Sequence, residues 1–335
     1  MKVITVRDIQ KLIASIGIEN FLGRLITTLE HDFSRWHDFR KSSRHATHYP
    51  QGVIELMPCA DDHFYTFKYV NGHPGNTLEG KLSVIAIGQL SDAVTGYPLL
   101  LTEMTLLTAL RTAATSALAA KYLARHNAQT LSIIGTGAQS EFQVLGFKQI
   151  FALKEIRFYD KDPAAMVKFA RNLENYSFAL TPCATIQEAI RQSDIVITAT
   201  AAHGRQQLFN LPDIAPGTHI NAIGGDRPGK TELPPALLEA AKIVVEYLPQ
   251  SLSEGEVQQC RSEPIPAELW ELVTGSKAGR ENDDQITLFD SVGFALEDYS
   301  ALRLIYDLTF EYSLGQDLDL LPEPANPKDL FGLLT

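Results

Sequence analysis

The stretch LSIIGTGAQSEF, Leu131 to Phe142, places Gly135 and Gly137 between a predicted buried strand and a predicted helix. Glycine permits the tight turn that joins such a strand to a helix. It also lets backbone N–H groups at the start of the helix approach a pyrophosphate. Ser140 stands where a dinucleotide-binding motif has its third glycine, a place that a small residue can fill. The pattern predicts a dinucleotide-binding turn.

Asp160 strengthens this interpretation. It ends the next predicted strand, EIRFYD, 23 residues after Gly137. A carboxylate there can accept hydrogen bonds from the ribose hydroxyls of adenosine, and it would repel a 2′-phosphate, so the sequence favours NAD over NADP. Lys161 beside it leaves that preference open. The alternative interpretation is a glycine turn without a ligand, with Asp160 as an ordinary loop residue.

Short β-branched runs alternate with helical segments from residue 130 onward. The predicted strands are TLSIIG, EIRFYD, FALTPC, DIVITAT, THINAIG and AKIVVEYL, and the helices between them include QSEFQVLGFKQIFA and PAAMVKFARNLENY. This alternation is typical of a doubly wound parallel sheet. The first 120 residues instead combine an amphipathic helix, FLGRLITTLEHDFSRW, with strands closed by Gly, Pro and Asn turns. We therefore predict an α/β protein with a Rossmann-type NAD-binding domain, residues 121–312, and an α+β domain, residues 1–120 with 313–335.

Composition narrows the class of partner. The formal net charge is −11 and the chain has no cluster of Lys and Arg, so nucleic acid and anionic membranes are poor partners and a small molecule is favoured. Cys59, Cys183 and Cys260 are scattered, which argues against a disulfide framework and a zinc site and suits free thiols in the cytoplasm. No apolar run approaches the roughly 20 residues of a membrane span. We expect a cytoplasmic protein without a metal.

Several charged residues interrupt apolar segments. Glu55 lies within GVIELMP and Lys68 within FYTFKYV. Burying either charge is costly unless it meets a partner or a ligand, so each lies on a solvent-exposed face or in a site. Arg111 precedes a run of small residues at the early part of a predicted helix, and Arg44 lies in KSSRHATH. An arginine fork can bind a carboxylate through two hydrogen bonds, but composition does not choose between these arginines.

The segment HINAIGGDRPGKTELP, His219 to Pro234, sets Asp226 directly after a predicted strand. Ligands of a doubly wound sheet bind beyond the carboxyl ends of its strands, so Asp226 should face the nicotinamide. Gly224 and Gly225 would let the backbone pass close to the cofactor. The alternative is a solvated turn rich in Asp, Pro and Gly.

These segments together resemble the ornithine cyclodeaminase and mu-crystallin family. The resemblance covers nearly the whole chain and rests on ordered blocks: KSSRHATH, GVIELMP, FKYVNGHPGNT, LRTAATSALAA, IGTGAQSEFQ, NAIGGDRPGKTEL, VEYLPQ, EGEVQQ and TLFDSVGFALEDY. It implies conversion of L-ornithine to L-proline and ammonia, with NAD consumed and regenerated within one turnover. It also implies a homodimer whose first domain and C-terminal tail form the intersubunit sheet and contribute the substrate pocket.

The resemblance also assigns roles to residues. Asp226 would be the general base that takes a proton from the δ-amine. Arg44, Lys68 and Arg111 would bind the amino acid carboxylate, Glu55 the distal ammonium, and Val292 would line the substrate. We predict a set of NAD-binding residues from the glycine turn and the strand-end argument, together with what the resemblance implies. The set is Ser83 (where the family often has Thr), Arg111, Gly135, Gly137, Ala138, Gln139, Asp160, Thr200, Ile223, Gly224, Gly225, Lys230 and Ser291.

Other activities stay open on the sequence. The substrate could be lysine or arginine, because one methylene in a pocket contributes only about 1–3 kcal/mol. A ketimine reductase, an alanine-type dehydrogenase, or a non-catalytic binding protein of the mu-crystallin kind are further alternatives. Glu55 favours a diamino acid over alanine. The presence of Asp226, Lys68, Arg111 and Glu55 together argues against a non-catalytic binder.

Overall fold

Two β-sheets organise the chain. The computed structural model describes residues 1–201, 204–260 and 265–334. The first sheet comprises β1 (Lys2–Ile4), β2 (Arg40–Lys41), β3 (His45–Tyr49), β4 (Gly52–Ala60), β5 (Phe64–Gly72), β6 (Ala86–Asp92), β7 (Pro98–Glu103) and β16 (Gln316–Asp317). Its order is β16-β1-β7-β6-β5-β4-β2, with β3 also paired to β4. All pairs are antiparallel except β1 with β7.

The second sheet is parallel throughout its described pairs. It comprises β8 (Thr130–Ile134), β9 (Glu155–Tyr159), β10 (Ala179–Pro182), β11 (Ile195–Thr198), β12 (His219–Ala222), β13 (Lys242–Val245), β14 (Ala267–Glu268) and β15 (Thr287–Asp290), in the order β10-β9-β8-β11-β12-β15-β13-β14. Strand order reverses between β8 and β11, the point where doubly wound sheets bind dinucleotides. The predicted Rossmann-type fold is confirmed.

Helices cover both sheets. They are α1 (Val6–Ile16), α2 (Ile18–Ser34), α3 (Thr105–Leu123), α4 (Ser140–Lys148), α5 (Pro163–Leu173), α6 (Ile186–Ile190), α7 (Pro235–Ala240), α8 (Leu248–Ser251), α9 (Leu269–Val273) and α10 (Ala295–Glu311). In the described ranges no single helix is long and apolar enough to span a membrane. The pair α1 and α2 reaches that length and character only across a 101° bend. Buried Phe21, Leu22 and Leu25 place α2 in the core.

Helix α3 lies between the two sheets and packs on α2 and α4. Its small residues allow close contact: a Cβ on Gly146 of α4 would lie 2.6 Å from the Ala113 carbonyl oxygen. The helix begins at Thr105, so Arg111 lies in its early part, almost two turns from the start. Helix α10 packs against α2 and the first sheet. The boundary between the two domains stays a prediction.

Candidate active site

The glycine turn between β8 and α4 has the geometry that a dinucleotide requires. Gly135 has φ +99°, and a Cβ there would lie 2.5 Å from the Ala199 carbonyl oxygen, so only glycine fits. A Cβ on Gly137 would meet no heavy atom within 4 Å, so this side of the turn is open to a ligand. Ser140, at the third position, is buried, and its hydroxyl donates to the Gly137 carbonyl oxygen at 2.8 Å. This hydrogen bond from the Ser140 hydroxyl therefore stabilises the turn.

Asp160 is fixed at the edge of this turn. Its Oδ2 accepts hydrogen bonds from Thr136 N at 2.6 Å and from Thr136 Oγ1 at 3.2 Å, while its Oδ1 accepts one from Asp162 N at 2.9 Å. The carboxylate thus follows β9 directly and lies beside the start of α4. An open glycine turn, a helix start and a fixed carboxylate fit the adenosine and pyrophosphate portions of NAD.

A cavity of about 350 Å³ lies between the first sheet and the carboxyl ends of the second. Of the residues predicted from the sequence, it is lined by Arg44, Glu55, Lys68, Ser83, Arg111, Gln139, Ile223, Asp226, Lys230, Ser291 and Val292. The others, Gly135, Gly137, Ala138, Asp160, Thr200, Gly224 and Gly225, do not line it. They lie at the glycine turn, at its helix, or at the ends of β9, β11 and β12. The structure therefore brings all five predicted substrate residues to one cavity.

Glu55 and Lys68 point to this cavity from neighbouring strands. Register pairs Glu55 with Val70 and Met57 with Lys68, so the two charged residues are diagonal neighbours on one face of the sheet. Diagonal neighbours have Cα atoms about 7–8 Å apart. Both residues are buried. The cavity consequently presents a carboxylate and an ammonium group a short distance apart.

Two acids at the start of α10 hold the cations of the cavity. Asp298 Oδ1 lies 2.8 Å from Lys68 Nζ and 3.1 Å from Arg111 Nε, and Glu297 Oε2 accepts a hydrogen bond from Arg111 Nη1 at 2.6 Å. Burial, helped by the charge of Arg111, lowers the pKa of Lys68 to about 8. Burial raises the pKa of Glu297 to about 8. Helix α10 therefore positions two of the three cations predicted to bind a carboxylate.

Arg44 is the third cation, and it is held from several sides. Its Nη1 lies 3.1 Å from Glu55 Oε2, and its Nε lies 3.3 Å from Glu254 Oε2. Its Nη2 donates to the carbonyl oxygens of Val292 and Gly293 at 2.5 and 2.7 Å. The guanidinium group therefore joins the first sheet to the loop that follows β15.

Asp226 follows β12 in a turn that closes at Gly229, whose φ is +79°. Its Oδ1 accepts a hydrogen bond from Lys230 Nζ at 3.1 Å, and its side chain is 56% exposed. Lys230, predicted to contact the cofactor, lines the same cavity, and its ammonium group pairs with Asp226. Asp226 is thus a carboxylate that lines the cavity and stays accessible to a ligand.

Gly224 and Gly225 lie close to two acids of the protein. A Cβ on Gly224 would lie 2.1 Å from the carboxyl carbon of Glu232, and one on Gly225 would lie 3.0 Å from Glu256 Oε1. Glu232 is fully buried, and it accepts hydrogen bonds from the N–H and the hydroxyl of Thr200. These glycines therefore admit two buried carboxylates of the protein itself.

Further buried acids position the loops around the cavity. Glu246 accepts hydrogen bonds from Ser291 Oγ at 2.6 Å, Val292 N at 3.0 Å and Gly293 N at 3.1 Å. Asp290 at the end of β15 accepts bonds from the N–H groups of the loop after α8. Burial raises the pKa of Asp290 to about 7. Sequence reasoning missed Glu232, Glu246, Glu254, Glu256, Asp290, Glu297 and Asp298. All seven lie in blocks that carried the resemblance, but no local pattern gave them a role.

The family model for the ornithine cyclodeaminase/mu-crystallin family matches residues 6–312. The chain belongs to this family. It is 51% identical over 331 residues to an ornithine cyclodeaminase of Agrobacterium fabrum, an alignment that covers 99% of this chain and 94% of that relative. The resemblance inferred from the sequence blocks is therefore confirmed.

Solved structures of similar proteins share the fold of this chain over nearly its whole length. A lysine cyclodeaminase studied for its recognition of L-lysine, L-ornithine and L-2,4-diaminobutyric acid superposes with a TM-score of 0.93 at 30% identity, covering 99% of each chain. An archaeal alanine dehydrogenase dimer with bound NAD gives a TM-score of 0.86 at 30% identity, covering 96% of this chain and 99% of that one. The fold is thus shared by proteins that differ in substrate.

Proposed function

We propose that this protein is an NAD-dependent ornithine cyclodeaminase that converts L-ornithine to L-proline and ammonia. One observation carries the proposal: a single cavity beside the glycine turn holds the cations Arg44, Lys68 and Arg111 together with the acids Glu55 and Asp226. A diamino acid carries one carboxylate and two amino groups, so its charges complement this set. The relatives named above act on, or recognise, ornithine and similar amino acids.

The cations receive the substrate carboxylate. Lys68 and Arg111 are oriented by Asp298 and Glu297, so little conformational entropy is lost when a carboxylate binds them. Lys68 must be protonated for this role, which its pKa of about 8 allows at neutral pH. Arg44 and Val292 close the cavity on the side of the second sheet.

The acids handle the distal amine. Glu55 binds it as an ammonium group, which accounts for a carboxylate buried on an apolar strand. The amine attacks the α-carbon only as a neutral base, so Asp226 accepts its proton and later returns it to the departing ammonia. Confinement of amine and α-carbon in one cavity makes ring closure intramolecular and well oriented.

A bound NAD would supply the hydride chemistry, in which a hydride leaves the α-carbon and later returns to the cyclic ketimine. Gly135, Gly137, Ala138 and Gln139 hold its pyrophosphate, and Asp160 binds the adenosine ribose. The residues given to its other portions are Ser83, Arg111, Thr200, Ile223, Gly224, Gly225, Lys230 and Ser291. Gln139 Oε1 is buried and has no hydrogen-bond partner among the described residues, so this amide oxygen is not committed to another group of the protein there.

We further propose a homodimer that acts in cytoplasmic proline biosynthesis. Leu56, Tyr69 and Ile87 lie opposite one another across β4, β5 and β6, on the face turned away from the cavity. Leu56 is 46% and Ile87 47% exposed, and the tail adds exposed Phe331. A second copy would cover this row. We expect Leu56→Glu with Ile87→Glu to give monomers in analytical ultracentrifugation; an unchanged mass would place the interface elsewhere.

The activity is tested by incubating the purified protein with L-ornithine and substoichiometric NAD. We expect proline and ammonia in equal amounts and many turnovers per NAD, with far less product from L-lysine, L-arginine or L-alanine. If none of these amino acids is consumed while NADH or NADPH reduces a cyclic ketimine, the protein is a reductase and the proposal is wrong.

A further inference from the structure

Glu254 is a buried acid beside the cavity that the reaction outlined above does not use. Its side chain is 9% exposed, and it does not line the cavity. It lies in the loop between α8 and the 3₁₀ turn Glu256–Gln259. The next residue, Gly255, has φ +71°, and a Cβ there would lie 2.7 Å from the Asp290 carboxylate. Glycine at position 255 therefore lets this loop pack closely against β15, and this packing fixes the position of Glu254.

Arg44 lies between two carboxylates. Glu55 approaches Nη1 on the cavity side, at 3.1 Å, and Glu254 approaches Nε from behind, at 3.3 Å. The contact with Glu55 is a hydrogen bond. In the described part of the chain, Arg44 Nε and Glu254 Oε2 are both buried without a hydrogen bond of good geometry. A small movement could therefore bring Arg44 Nε and Glu254 Oε2 into a well-aligned hydrogen bond.

This arrangement raises a problem for substrate binding. Glu55 cannot give both of its carboxylate oxygens to a distal ammonium while its Oε2 accepts the hydrogen bond from Arg44 Nη1. Releasing Arg44 without another acid would leave a buried guanidinium uncompensated, which is costly. A small shift of the Arg44 guanidinium towards Glu254 would avoid that cost. The hydrogen bonds from its Nη2 to the Val292 and Gly293 carbonyl oxygens would be kept during this shift.

We propose that Glu254 is a positioning residue, whose ionised form is a second counterion of Arg44 and frees Glu55 to bind the distal ammonium of a diamino acid. Glu254 then determines specificity for a charged side chain without touching the substrate. This proposal deepens the proposed function and rests on it for the identity of the ligand.

The charge environment makes the effect depend on pH. Burial raises the pKa of Glu254 to about 7, with Arg44 acting against that shift and Glu55, Asp226 and Glu246 adding to it. Above pH 7 the ionised Glu254 holds Arg44. Below pH 7 the protonated acid holds it less well, Arg44 remains on Glu55, and the preference for a distal ammonium falls.

The test compares L-ornithine with L-norvaline, which has the same carbon chain without the distal ammonium. Dissociation constants are measured by equilibrium dialysis on the NAD-loaded protein carrying Asp226→Asn, which prevents turnover and removes one neighbouring acid. The preference ratio is the dissociation constant of L-norvaline divided by that of L-ornithine. A larger ratio means that the distal ammonium contributes more to binding. Because Lys68 contacts the carboxylate of both ligands, its titration cancels in the ratio.

We expect Glu254→Gln to reduce this ratio by about tenfold or more, since a hydrogen bond to a charged group is at stake, with norvaline binding little changed. The ratio should fall between pH 8 and pH 6 with Glu254 present and stay flat in Glu254→Gln. Glu55→Gln should remove the preference, and adding Glu254→Gln to it should change nothing more. Glu239→Gln, an exposed acid of α7, is the matched control and should leave the ratio unchanged.

An unchanged ratio in Glu254→Gln, or equal weakening of both ligands, would overturn the proposal. Equal weakening would mean that Glu254 supports carboxylate binding through Arg44 or only maintains the fold of the loop, and not that it frees Glu55. Both outcomes are independent of turnover. A protein that makes proline from ornithine but keeps its ratio in Glu254→Gln would retain the proposed function and lose this inference.

Discussion

Gly137 and Gly224 form a matched pair that separates a glycine needed by the ligand from a glycine needed by the fold. A Cβ on Gly137 would meet no heavy atom within 4 Å, and its φ lies outside the left-handed region. A Cβ on Gly224 would lie 2.1 Å from the carboxyl carbon of Glu232, which is fully buried and bound to Thr200 N at 2.9 Å. Gly137→Ala leaves the packing intact, whereas Gly224→Ala forces a buried carboxylate to move.

The magnitudes follow from these distances. Overpacking costs about 1–3 kcal/mol, and loss of a hydrogen bond to a charged group adds about 1.5–3 kcal/mol, so we expect Gly224→Ala to lower the free energy of unfolding by roughly 3 kcal/mol. Gly137→Ala should change it by no more than about 0.5 kcal/mol. Its new methyl group should weaken NAD binding by about 1–3 kcal/mol, which is roughly 5- to 150-fold in the dissociation constant.

Both variants are measured in two assays. Urea unfolding without NAD gives the free energy of unfolding, and titration of the folded protein with NAD gives the dissociation constant. Wild-type NAD affinity in Gly137→Ala would refute the assignment of this turn to the cofactor. Wild-type stability in Gly224→Ala would refute the packing of Glu232 against the strand end.

Three further perturbations address the chemistry. Asp226→Asn should abolish proline formation while leaving the dissociation constant for NAD within about threefold of wild type; an equal loss of NAD affinity would show that the residue mainly shapes the cofactor site. Asp160→Ser should improve the affinity for NADP relative to NAD by roughly tenfold, because a repulsive charge is removed, and an unchanged ratio of the two affinities would remove its assigned role. For ornithine, kcat/KM should fall as pH rises through about 8, where Lys68 loses its proton. Asp298→Asn should move that fall to lower pH, because Asp298 raises the pKa of Lys68. A fall at the same pH in this variant would contradict the role of the Lys68–Asp298 pair.

The glycine turn and Asp160 could be predicted from the sequence because their geometry is local. A strand, two glycines, a helix and a second strand lie within about thirty residues, and each step limits the next. Side-chain alternation puts Glu55 on the same face of β4 as Met57, and Lys68 on the same face of β5 as Thr66, and all four residues are buried.

The buried acids could not be predicted because their partners lie far away in the chain. Asp298 reads as an ordinary acid in the first turn of a helix, yet its ammonium partner Lys68 is 230 residues distant. Gly224 was predicted to lie close to the cofactor, and its packing against Glu232 could not be predicted because Glu232 reaches the strand end only after the chain turns back. Strand β3, fully exposed, gave no hydrophobic signal.

Retention of a deuterium label tests the proposed reaction most directly. L-Ornithine deuterated at the α-carbon is converted with substoichiometric NAD, and the proline formed is analysed by mass spectrometry. Since the hydride leaves and returns within one turnover, we expect proline with deuterium at its α-carbon and no accumulation of NADH. Proline without the label, or NADH formed in proportion to product, would contradict an internal hydride transfer.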